Sequence, residues 1–157
     1  MAPRDDLAIR TVINRWGDAV KSTGETDLGE LLWNMQPLLH DEPFVFCTLQ
    51  AGREPPAGTW CTVAEVEEVT CILPETVART HSLDYQGSWA RITLTVHSSL
   101  SAVGFLAMIS TSLAMKNICV NVVSAYYHDH LFVHWDERLR AMEILQELSG
   151  RTKTKAG

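Results

Sequence analysis

The stretch "WARITLTVHSSLSAVGFLAMISTSLAMKNICVNVVSAYYHDHLFVHW", residues 89–135, decides how this chain folds. At its start Trp89, Arg91, Thr93 and Thr95 alternate with Ala90, Ile92, Leu94 and Val96. That period of two predicts a β-strand with the apolar set on one buried face. "HSSL" follows, and Ser98 or Ser99 is the expected N-cap of a helix. Leu100, Val103, Ala107, Ser110 and Ala114 then recur at helical spacing, with Leu106, Ile109 and Leu113 widening the stripe. The helix is expected to run to Lys116–Asn117, where Asn117 suits a stop. "ICVNVVSAY" is apolar on both parities and predicts a central strand covered on both sides. "HDHLFVHW" is the next strand, and the short join "SAYYHD" predicts a hairpin.

Beyond this stretch, "DERLRAMEILQEL" predicts a terminal helix capped by Asp136, with Leu139, Met142, Leu145 and Leu148 on one face and Gly150 ending it. The second half thus reads β–α–β–β–α. A strand from the first half can complete it to a βαββαβ sheet with helices on one face. The first half has the same rhythm more weakly. Residues 7–20 place Ile9, Ile13, Trp16 and Val20 at helical spacing, and "LGELLWNMQ" follows as a helix with Thr26 or Asp27 as cap. "LLHDEP" leads into a β-run at 44–50, and "AGREPPAGTW" is a loop. Further β-runs follow near 60–64 and 69–73, then a short helix opening at Pro74. Two intertwined α+β units are expected. Trp60, Trp89 and Trp135 read as core anchors, and Glu65, Glu67 and Glu68 as a solvated strand edge.

Composition narrows the function. The net charge is −6, and no Lys/Arg face appears apart from the short tail "RTKTKAG", so nucleic acid is not an expected partner. No apolar run approaches the ~20 residues of a membrane span. "MAPRDDLAIRTVINRW" has no apolar secretory core, and Asp5 and Asp6 argue against a mitochondrial leader. Cys47, Cys61, Cys71 and Cys119 lack metal spacing and read as reduced thiols, which points to the cytoplasm. No G-x-S-x-G, H-E-x-x-H, P-loop or G-x-G-x-x-G is present, so catalysis and a cofactor are not expected.

Two constellations carry the candidate chemistry. On a strand His128, His130, Phe132 and His134 share one face, and Asp129, Leu131 and Val133 the other. Two imidazoles at i, i+2 can hold a transition metal given a third ligand, but Asp129 points away. The histidines read first as hydrogen-bonded structural residues at a hairpin or between modules, and after that as polar ligand contacts, with Asp129 available to an ammonium group and Asn121 adding an amide. The helix start "HSSLSAVG" offers unpaired backbone N–H groups and a positive dipole end to a carboxylate. Ser98 and Ser99 add hydroxyls, and Gly104 permits close approach. An ordinary capped helix explains the same residues.

"ITLTVHSSLSAVGFLAMISTSLAMKNICVNVVSAYYHDHLFV", residues 92–133, and "GETDLGELLWNMQPLLHDEPFVFCTL", residues 24–49, together resemble a family of small tandem ACT-domain proteins. The resemblance covers about residues 24–148. It implies an α+β fold of two ferredoxin-like βαββαβ modules with antiparallel sheets. The expected layout is an extension at 1–23, a first module at 24–86, a second at 87–150, and a disordered basic tail at 151–157. The resemblance places a small ligand, commonly an amino acid, at the loop between the first strand and first helix of a module. Here that loop is residues 97–104, and the candidate contacts are His97, Ser98, Ser99, Leu100, Ala102, Val103 and Gly104 in it, with Phe105, Asn121, Val122, His128, Asp129 and His130 as further candidates. Phe105–Leu106 stands where the family has Leu-Thr, and Ser101 where it has an acidic residue.

The expectation is a non-enzymatic, amino-acid-binding regulatory protein or sensor, with a homodimer as an option and no metal. The alternatives are a ligand-free dimerisation adaptor and a metalloenzyme using His128 and His130.

Overall fold

The computed structural model describes residues 24–50 and 52–150. The helix expected over 7–20, the extension 1–23 and the tail 151–157 lie outside the described residues. The described order is α1 (Leu28–Asn34), β1 (Pro37–Leu49), β2 (Cys61–Ala64), β3 (Val69–Pro74), α2 (Glu75–Thr80), β4 (Trp89–Leu94), α3 (Phe105–Ala114), β5 (Val120–Ser124), β6 (Asp129–His134), a single 3-10 turn at Trp135–Glu137, and α4 (Arg138–Leu148).

The six strands form one sheet in the order β2-β3-β1-β4-β6-β5. Every pairing is antiparallel. β1 and β4 lie side by side at the centre and serve both modules. The set β2-β3-β1-β4 is one four-stranded unit and β1-β4-β6-β5 is the other, each in the strand order of a ferredoxin-like fold. The expected borrowing of a first-half strand by the second half is thus realised by β1, and the expected intertwining by the shared β1/β4 pair.

The strand parity read from residues 89–96 holds. Ala90, Ile92 and Leu94, with Leu131 and Val133 of β6, are fully buried beneath Leu31 and Met35, Ile109 and Leu113 of α3, and Ala141 and Leu145 of α4. Val45, Cys47, Leu49, Cys71 and Leu73 continue this face under Ala78 of α2. All four helices therefore cover one face. The opposite face carries an aromatic cluster of Phe44, Phe46, Trp60, Trp89 and Phe132. All four cysteines are unpaired, Cys47 and Cys71 being buried.

Five local expectations are corrected. β1 begins at Pro37, not residue 44. Prolines argue against a strand interior, but Pro43 sits where the register with β4 shifts, between Leu39 and Pro43, so its missing N–H costs little. β4 stops at Leu94, because Thr95 donates both its N–H (3.1 Å) and its hydroxyl (2.7 Å) to the Gln36 carbonyl. β5 is an edge strand, not a central one, and Val122 is partly exposed. α3 starts at Phe105 behind Gly104, not at Leu100, and its buried stripe is Phe105, Ile109 and Leu113 while Leu100 and Val103 are exposed. In the terminal helix a 3-10 turn replaces the Asp136 cap, and Ala141, Ile144 and Leu145 are buried while Leu139 is exposed. Asn117, at φ 58°, does occupy the left-handed position just past α3, with Ile118 N–H donating to Leu113 O at 3.0 Å.

Two polar anchors set the helix ends. Asp27 caps α1 by accepting from Glu30 N–H at 2.9 Å. Asp27→Ala is expected to cost about 1 kcal/mol, read as a urea midpoint shift with an unchanged slope. Buried Glu75, at the start of α2, accepts from Ser88 Oγ (2.8 Å), Tyr85 OH (3.0 Å) and Arg79. These donors, Ser88 foremost, hold its carboxyl below the usual range and tie α2 to the connection into β4.

Candidate ligand site

The segment between β4 and α3 is held from outside itself. Glu25 N–H donates to His97 O and Ser99 N–H to Glu25 O, both at 2.9 Å, forming a parallel bridge of Glu25 with Ser98. Gly24, at φ 69°, lies so close that a Cβ would stand 2.6 Å from Ser99 N. Only glycine fits there. Ala102 N–H returns to Ser99 O at 2.9 Å, closing a turn, and Ser101 N–H reaches Ser99 Oγ at 3.2 Å. Ser99 therefore caps this turn and not the helix.

Gly104, at φ 92°, swings the chain into α3 with no side-chain cap. The first helical bond is Met108 N–H to Gly104 O at 2.9 Å. The N–H groups of Phe105, Leu106 and Ala107 consequently have no acceptor among the described residues. They open on a cleft of about 160 Å³ lined by Ser98, Ser99, Leu100, Ala102, Gly104, Phe105, Leu106, Ala107, Ser124 and Asp129. Asp129 is only 5% exposed. Its Oδ2 accepts from Ser98 Oγ at 3.0 Å, and its Oδ1 has no hydrogen-bond partner among the described residues. The cleft thus joins a positive helix end to a buried carboxylate that has no cationic partner among the described residues.

Seven of the thirteen candidates line this cleft: Ser98, Ser99, Leu100, Ala102, Gly104, Phe105 and Asp129. The other six lie elsewhere. His97 packs its ring against Tyr127 at 5.4 Å. Val103 is 85% exposed. Val122 stands opposite Leu131 on β5, outside the lining. His128 Nδ1 sits 3.3 Å from Val96 O. Asn121 and His130 belong to the helix-free face, Asn121 lining a separate groove there. Leu106, Ala107 and Ser124 complete the lining and are not among those candidates. The late helix start explains the first two, and the register pair Ser124–Asp129 the third.

His130 belongs to a hydrogen-bonded chain across three strands. Arg91 Nη2 lies 3.0 Å from His40 Nδ1, His40 Nε2 2.8 Å from Thr93 Oγ1, and Thr93 Oγ1 3.0 Å from His130 Nδ1. Guanidinium can only donate, so His40 is protonated on Nε2, Thr93 donates onward, and His130 accepts at Nδ1. The bulge in β1 swings His40 over to β4. Arg91 lies over the rings of Phe44 (4.5 Å) and Trp60 (5.0 Å), and its buried Nε has no partner among the described residues. Burial, then Arg91, lowers both histidines to about 4, so both are neutral near pH 7. Among the described residues no three His, Cys, Asp or Glu side chains converge on a metal position, and no helix is long and apolar enough to cross a membrane.

Comparison with known proteins agrees with this architecture. Residues 23–90 match one family described as an ACT domain, and residues 86–147 match a second with the same description. No curated protein matches the chain. A solved structure of a protein of unknown function from Vibrio cholerae is 34% identical, with 78% of this chain and 95% of that one covered and a TM-score of 0.67. A protein from Agobacterium tumefaciens aligns at 15% identity over 73% of this chain and 89% of its own, with a TM-score of 0.63. An aspartate kinase from Clostridium acetobutylicum, described as allosteric, shares the fold at 8% identity over 73% of this chain and 34% of its own, with a TM-score of 0.57. The chain belongs to the ACT-domain family, as a tandem pair of ACT modules built on one sheet.

Proposed function

We propose that this protein is a regulatory binding protein whose ligand is a small α-amino acid, seated in the cleft between β4, α3 and the end of β5, and that it is not a catalyst. The observation that carries this reading is the polarity of the cleft. A ligand carboxylate faces the unpaired N–H groups of Phe105, Leu106 and Ala107, while its ammonium meets the free Oδ1 of Asp129. A zwitterion satisfies both ends at once. A volume of about 160 Å³ leaves room for only a short side chain, with Phe105 and Leu106 as apolar walls. Residues 24–86 and 87–150 are read as the two modules, and the four unpaired thiols fit a cytoplasmic setting.

Thermal melting against the twenty amino acids tests the reading. A short amino acid is expected to raise the melting temperature at millimolar concentration, since a native-state ligand must stabilise. Asp129→Asn is expected to weaken that binding at least about tenfold by removing a charge-assisted bond. Stabilisation by simple carboxylates as strong as by amino acids would leave Asp129 without its role.

The ligand-free adaptor has one observation in its favour. Among the described residues the outer edge of β5 is unpaired, and Val122, Tyr126 and Tyr127 are exposed on β5 and the hairpin it forms with β6. Light scattering over a concentration series separates the two: a ligand-insensitive dimer favours the adaptor.

A further inference from the structure

A second concavity lies on the helix-free face, independent of the cleft. It is a groove of about 640 Å³ lined by Phe46, Thr48, Asp84, Tyr85, Gln86, Trp89, Cys119 and Asn121. Three of these are aromatic. The Phe46 and Trp89 rings stand nearly perpendicular, at 73° with centroids 5.7 Å apart, and form a corner. His134 stacks on Trp89 at 4.2 Å and fixes the indole in place. Tyr85 is pinned through its hydroxyl to Glu75 and Arg79, leaving its ring in the wall. Thr48, Asp84, Gln86 and Asn121 make no side-chain hydrogen bond among the described residues, so the fold does not use them. The charge balance is one-sided. Among the described residues Asp84 is the sole acidic residue of the lining, and no Lys or Arg lines the groove.

We propose that this groove binds a small organic cation bearing an alkylated ammonium group, held between the aromatic corner of Phe46 and Trp89, the Tyr85 ring and the Asp84 carboxylate. Ring faces present negative potential, and an alkylated ammonium is large, diffuse and cheap to desolvate, so it suits aromatic walls better than a primary amine does. The carboxylate supplies the opposite charge at the rim. Anions are disfavoured by the same lining in a chain of net charge −6. Thr48, Gln86 and Asn121 remain to hydrogen-bond a hydroxyl or carbonyl elsewhere on the ligand.

The test titrates choline, and separately its neutral carbon isostere 3,3-dimethyl-1-butanol, into isotopically labelled protein. The Trp89 indole N–H resonance, assigned by its loss in Trp89→Phe, is followed. Choline is expected to shift this resonance with an affinity about tenfold higher than the isostere. Asp84→Asn, an exposed change that leaves the melting temperature unaltered, is expected to weaken choline several-fold, and Asp129→Asn to leave it unchanged. A trimethyl-lysine peptide in a parallel titration distinguishes a free cation from a modified side chain as the source, and binding of either supports the proposal. Equal binding of choline and the isostere, an unaffected Asp84→Asn variant, or no shift with either cation at tens of millimolar overturns it.

Discussion

Phe132→Ala is expected to lower the unfolding free energy by about 3–5 kcal/mol. Phe132 is fully buried although it sits on the face without helices. Its cover is the protein's own aromatic set: Phe46 and Trp60 at 5.4 Å and Phe44 at 6.0 Å, all edge-on or tilted. Among the described residues no helix packs on this face to collapse into the space, so the cavity persists and the full cost is felt. Arg91 lies over two of the same rings, so the hole also loosens a desolvated cation. A loss of this size is a large share of the 5–15 kcal/mol typical of a domain. Phe132→Leu should cost less, about 1.5 kcal/mol or below. Urea midpoints at constant slope give both values. A loss under about 1 kcal/mol for alanine would mean that the aromatic cluster does not hold this face together.

Acid is the second strong lever. His40 and His130 are lowered from 6.5 to about 4, chiefly by burial and then by Arg91, with His130 also acting on His40 and His128 on His130. Asp41 and Asp129 oppose this weakly, and Glu42 is the carboxylate that acts on Arg91. A depressed histidine disfavours the proton in the folded state. The stability it carries is complete above pH 6.5 and is lost as pH falls toward 4. Protonation also removes the acceptor at Nδ1 of each ring and breaks the Arg91–His40–Thr93–His130 chain. Solvent screens these half-buried rings, so each proton is expected to cost about 1–2 kcal/mol. Glu75 adds its own loss only below its usual 4.5, which leaves pH 5–7 as the clean window. Urea titrations there should show stability falling with acid in the parent and a flatter slope in His40→Gln/His130→Gln. Equal slopes in both proteins would remove these two rings as the cause.

Much of the fold was legible in short stretches. The alternation at 89–96 and the odd–even split of His130, Phe132 and Asp129 fall on the faces expected of them, because a strand's period of two is imposed by the backbone. Caps such as Asp27 and the left-handed stop at Asn117 are equally local. The site was half legible. Ser98, Ser99, Gly104 and Asp129 meet in one cleft, whereas Asn121 and His130 lie on the other side of the sheet. Strand parity already placed His130 opposite Asp129, yet both were candidates for one ligand.

Local pattern, then, was enough for the element types, the two faces of the central strands and the loop that carries the candidate site, since those depend on neighbours along the chain. Strand order, the edge position of β5, the sharing of β1 and β4, and the late start of α3 came from contacts between distant segments. Residues 24–25 capture the backbone of 97–99 and delay the helix, leaving the Phe105–Ala107 amides open beside Asp129. The physical reason is that an amide bonds whichever carbonyl the packed chain brings within reach, and a one-dimensional pattern does not say which one that is.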